Sequence, residues 1–227
     1  MLRTLFAVVV LAVASTRAPA QGLDHFINLV GVGLDTSNNP FGLGVSPDGS
    51  TLWVPVSGSP TRGDPSTANN NVVARYDTTT YALLGVTTVG WFPNNVIVSD
   101  TAAYVSVSTD GTIAVVDSGT GTLVATLTVP NWGFSAYPFG LALSGDGSRL
   151  YVSTLDGQDV IYVLDTVSLA WLNAETISVP GGAGRLAVHG DTLIAGLSAY
   201  LSDWSGGVSA VAFIDLVGGS HVVHTIK

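Results

Sequence analysis

The chain of 227 residues contains no cysteine, a single methionine and a single glutamate, Glu175. Without thiols there is no cysteine nucleophile and no thiolate metal centre, and stability must come from a packed core. Good helix formers are scarce, since Lys and Arg together number only seven. Val, Thr and Ser are abundant, alongside 27 Gly, so helices have no support and an all-β chain is expected. Charged side chains make up only 10% of the sequence.

Long apolar runs are missing as well. Leu5 to Ala14 is unbroken, but it is about half the roughly twenty residues a membrane-spanning helix needs. It follows Arg3 and precedes Ala18-Pro19-Ala20, the layout of a secretory signal cleaved before Gln21. Residues 1–20 are therefore read as a signal peptide. Residues 21–227 form the mature domain, with no membrane span, exported to the periplasm, the cell surface or the exterior. Setting Arg3 and Arg17 aside leaves five basic residues against sixteen acidic ones. So little positive charge cannot neutralise phosphate, which argues against nucleic acid and anionic lipid as partners.

What the chain does contain is a repeat. PFGLGVSPDGSTLWVPVS at 40–57 returns as PFGLALSGDGSRLYVSTL at 138–155. Looser copies are PNNVIVSDTAAYVSVS at 93–108 and GRLAVHGDTLIAGLS at 184–198. Each is followed by a β-run closing on Asp77, Asp117, Asp165 or Asp215, at intervals of 40, 48 and 50 residues. Units of this length with about four strands each are propeller blades. Asp48-Gly49, Asp110-Gly111, Asp146-Gly147 and Asp156-Gly157 read as hairpin turns, where Gly accepts positive φ and Asp bonds its own backbone. Strands such as LWVPVS at 52–57 are apolar or small on both faces, as a sheet stacked between two others requires.

The unit P-x-G-L-A-[VL]-S-x-D-G-[ST]-x-L-Y-V-[ST], followed by V-x-x-[LI]-D-T, resembles the YVTN-type β-propeller repeat of secreted and surface-layer proteins. Pro138 to Thr166, with YVST at 151–154, carries it best. The resemblance implies an all-β propeller with blades near 41–89, 94–129, 139–179 and 184–226. A lone leading strand, HFINLVGVGL at 25–34, is surplus to those blades. Relatives usually carry six to eight blades, so an incomplete or open ring is expected, with association between copies through exposed end blades.

Function is sought in the loops, because propellers host unrelated activities. Loops joining strand d to the next a, and b to c, share one rim. Trp91, Phe92, Trp132, Phe134, Tyr137 and Trp204 gather there, beside Arg62 and Asp203. Trp, Tyr and Arg dominate binding hot spots, and flat aromatic faces stack on sugars. A protein or glycan partner is thus expected at this rim, while the same aromatics can also plug gaps between blades. The opposite rim, made of short Asp-Gly and Asp-Thr turns, reads as plain structure. The recurrent Asp residues read as blade builders. His221 and His224 point to opposite faces of one strand, so no metal ligand set emerges, and no cofactor motif, nucleophile elbow or paired carboxylates are present. The alternatives are a remnant of a lactonase-like or dehydrogenase-subunit-like propeller enzyme, or a surface-coat repeat protein.

Overall fold

The computed structural model describes residues 39–58, 71–130, 137–155, 159–179, 182–198, 209–217 and 223–226. Among them the chain forms four antiparallel sheets in sequence order, each a meander of strands a to d. Blade 1 comprises β1 (Asn39–Pro40), β2 (Gly44–Val45), β3 (Thr51–Ser57), β4 (Val72–Asp77) and β5 (Leu83–Thr88). Here β1 and β2 are two pieces of strand a, both paired with β3. Blade 2 comprises β6 (Pro93–Val98), β7 (Ala102–Val107), β8 (Thr112–Asp117) and β9 (Leu123–Thr128). Blade 3 has β10 (Pro138–Leu143), β11 (Arg149–Thr154), β12 (Val160–Asp165) and β13 (Ile177–Ser178). Blade 4 has β14 (Ala183–His189), β15 (Thr192–Ser198), β16 (Ser209–Asp215) and β17 (Val223–Ile226). The leading strand expected at 25–34 lies outside the described residues.

The turns explain the repeat letter by letter. In the Ser-x-Asp-Gly-Ser turns, the Asp48 carboxylate accepts from Ser46 Oγ at 2.5 Å and from the Ser50 N–H at 3.0 Å. Asp146 does the same with Ser144 Oγ at 2.6 Å and the Ser148 N–H at 3.0 Å. Gly49 and Gly147 follow at φ 76° and 72°, where a side chain would be strained. The Asp that closes strand c builds the next turn. Asp77 accepts from the Thr80 N–H at 2.6 Å, Asp117 from the Thr120 N–H at 2.7 Å, and Asp165 from the Ser168 N–H at 2.8 Å. The Thr that follows such an Asp ties the two turns together: Thr78 Oγ1 donates to Gly49 O at 2.6 Å and Thr166 Oγ1 to Gly147 O at 2.7 Å. These bonds favour the carboxylate and hold the Asp77, Asp117 and Asp165 carboxyls below their usual range.

Each blade lays its trailing face on the leading face of the one before. Trp53 and Val73 of blade 1 pack with Val96, Val105 and Val116 of blade 2. Tyr104 and Val115 of blade 2 meet Leu141, Val152 and Leu164 of blade 3. Tyr151 and Val163 of blade 3 meet Leu193, Ala195 and Ile214 of blade 4. Each such side chain is worth about 1.5–3 kcal/mol buried rather than exposed. That double-sided burial is why the strands lack polar alternation. Among the described residues, no comparable packing joins blade 4 back to blade 1. The described blades form an open arc of propeller type.

Strand a sits where neighbouring backbones come closest. A Cβ on Gly42 would lie 2.7 Å from Asn94 O, and one on Gly140 would overlap Gly184 O, so only glycine fits. Buried serines bond across these seams: Ser57 Oγ to Pro93 O at 2.7 Å, Ser108 Oγ to Pro138 O at 2.6 Å, and Ser153 Oγ to Gly184 O at 2.5 Å. Pro93 and Pro138 open their strands, where a missing N–H costs the ladder nothing. The outer part of the first seam is fastened by Arg75, nearly buried, whose guanidinium stacks over Trp53 at 5.3 Å. It donates to Thr120 O at 2.8 Å and Gly119 O at 3.4 Å in the blade 2 turn.

Candidate functional site

Two surfaces follow from this frame, one on each rim. On the first, the segment entering blade 2 lies against that blade's b–c turn. The Trp91 N–H donates to Asp110 Oδ2 at 2.8 Å, and Trp91 O accepts from the Thr109 N–H at 3.2 Å. Gly90, at φ 120°, leaves room for the Asp110 carboxylate. Phe92 stands at φ 63°, a region unusual for an aromatic residue. Its N–H donates to Asn71 Oδ1 at 3.2 Å and its carbonyl accepts from Ser108 at 3.0 Å. Held this way, the Phe92 ring meets Phe41 edge-on at 5.4 Å. Strained backbone held by its surroundings is common at recognition sites.

Of the aromatic residues expected on this rim, Trp91 and Phe92 are half-buried and Tyr137 is exposed. Trp132, Phe134, Trp204, Arg62 and Asp203 lie outside the described residues. The sequence reading missed Phe41, which is exposed beside Phe92. Arg185, a polar exception on the inner strand of blade 4, has its guanidinium 4.5 Å from the centre of the Phe139 ring. Both phenylalanines sit in the repeated Pro-Phe-Gly, where the repeat itself conceals them. Asn94, a polar residue of an inner strand, is buried and spent within the wall. Its amide donates to Ser108 Oγ, and its carbonyl oxygen accepts from Ser106 Oγ at 2.8 Å.

The opposite rim departs from its expected plainness. A cleft of about 940 Å³ opens between blades 3 and 4, lined by Ser144, Asp146, Arg149, Glu175, Ser178 and Asp191 among others. Its cause is the c–d connection of blade 3, which runs longer than those of blades 1 and 2 and folds a 3-10 turn at Asn173–Glu175. Trp171 anchors that turn, bridging to Leu164 and meeting Tyr162 at 6.2 Å. Arg149 is held from two sides, by Glu175 Oε2 at 3.0 Å and Asp165 Oδ2 at 2.9 Å. The Glu175 hydrogen bond raises its pKa above the usual arginine value. Much of the polar lining is spent on itself: Ser144 and Ser148 donate to Asp146, and Glu175 accepts from Arg149. Among the described residues, no three His, Asp or Glu side chains cluster to hold a metal ion, and no helix is long and apolar enough to cross a membrane.

No protein-family profile and no curated protein matches the chain. Solved structures do. A chain of Kuenenia stuttgartiensis hydrazine synthase superposes with a TM-score of 0.68 at 24% identity, over 88% of this chain and 53% of that one. A chain from a mitotic checkpoint complex gives a TM-score of 0.58 at 18% identity, over 85% of this chain and 53% of that one. This chain therefore spans about half the length of each. Both are propeller-containing structures, and at such identities the likeness establishes the β-propeller fold alone.

Proposed function

We propose that this protein is an exported, YVTN-like propeller that binds a protein or glycan through its aromatic rim, without catalysis. The observation that carries this reading is the exposure of Phe41 and Tyr137 on the rim where Phe92 is held at positive φ. Aromatics left in water at the mouth of a rigid scaffold supply contact area at low entropic cost. Export rests on the signal-like residues 1–20. The enzyme alternative needs convergent polar groups on the inner strands, and Asn94 there is already committed to Ser106 and Ser108.

The test compares the mature protein with Tyr137→Ala and Trp132→Ala in a glycan array and in pull-downs from material of its source. Each substitution should weaken capture about tenfold or more, the effect of a rim hot spot. Capture unchanged in both variants, with thermal unfolding also unchanged, would remove the site.

A further inference from the structure

The interior seams define what a blade presents to its neighbours, and both ends of the arc break that pattern. In strand b of blades 1 to 3, the third residue, on the leading face, is Trp53, Tyr104 or Tyr151, all buried. In blade 4 the same register position, set by pairing of the strand start with the closing Asp, is the half-buried Ile194. Its strand-c neighbour Phe213 is 36% exposed, whereas the equivalent Val163 of blade 3 is 2% exposed. At the other end the trailing face is short of a partner along strand a. Val96 and Leu141, which press onto the preceding blade, are each 4% exposed, while their counterpart Leu43 is 58% exposed. Val45, two residues on in the same row, is also exposed. The remainder of that face, Val54, Val56 and Tyr76, is buried within the chain, so the open part is the strand-a row.

We propose that these two faces mate head to tail between copies of this chain. The row Leu43 and Val45 of one copy lies on Ile194 and Phe213 of another. The occupant is identified by continuity: each interior seam sets a strand-a row, with strands b and c beside it, on the leading face of the preceding blade. The pairing is heterologous, so it closes into a ring of copies or runs on as a chain of them. It uses a surface separate from the aromatic reading of the rim, and failure of that reading leaves it untouched.

Sedimentation velocity on the mature protein tests it, using Leu43→Glu and Phe213→Glu. Both side chains are exposed, so each variant keeps the wild-type melting curve. Wild type sediments as a dimer or larger, each variant alone as a monomer, and an equal mixture of the two recovers a dimer. Recovery follows because one variant keeps an intact row and the other an intact leading face. A monomeric wild type, a variant that still associates alone, or a mixture that stays monomeric overturns the proposal.

Discussion

Asp48 and Asp146 show how much of this fold rests on single side chains. Both carboxyls are held down to about 2, chiefly by the hydroxyls of Ser46 and Ser144, then by the Ser50 and Ser148 amides and hydroxyls. A depressed folded-state pKa means that the native protein binds fewer protons than the unfolded chain. The stability this confers is complete above the unfolded value of 3.8 and drains away as pH falls towards about 2. Urea midpoints should therefore drop between pH 4 and about 2. A double variant, Asp48→Asn with Asp146→Asn, should start lower at pH 5 and fall less steeply. Parallel curves for the two proteins would contradict the assignment. Exposure of both groups means that added salt shrinks the difference.

The strand is the scale at which the sequence was most legible and also where it first fell silent. Asp-Gly pairs marked hairpins because a turn is a local matter, decided by φ and a nearby carboxylate. The glycine of Pro-Phe-Gly-Leu was visible as a repeated letter, yet its reason was not. That reason is the backbone of the next blade, Asn94 for Gly42 and Gly184 for Gly140. Gly140→Ala would drive a methyl group into Gly184 O and the Ser153 hydroxyl, neither of which can retreat without opening the seam. A loss of about 3 kcal/mol is expected from such overpacking. Gly145→Ala meets nothing within 4 Å and should stay within about 0.5 kcal/mol of wild type. Chemical denaturation of the two variants side by side decides the matter, and equal midpoints would refute close backbone contact at the seam. Arg75 was equally hidden: a lone arginine on a buried strand has meaning only once Trp53 and the carbonyls of the blade 2 turn surround it.

Across the whole molecule, four repeats with apolar faces on both sides, in a chain without helix-forming segments to cover them, were enough to indicate stacked blades. The polar cleft between blades 3 and 4 was not foreseeable, because it arises from the longer connection after Asp165 and the turn at Asn173–Glu175. The aromatic rim was only partly legible: loop tryptophans advertise themselves, while Phe41 and Phe139 were concealed inside the repeat. At this scale the central claim is that four successive sheets hold one another by face-to-face burial, which makes the b and c strands of every blade one cooperative core. Amide hydrogen exchange, followed by mass spectrometry of peptides from the intact protein, reads this directly. The slowest amides should fall in β3 and β4, β7 and β8, β11 and β12, and β15 and β16, exchanging together, with the outer strands β5 and β9 faster. If any one of those four pairs exchanged at loop-like rates while the others stayed protected, the stacked-blade account would be wrong.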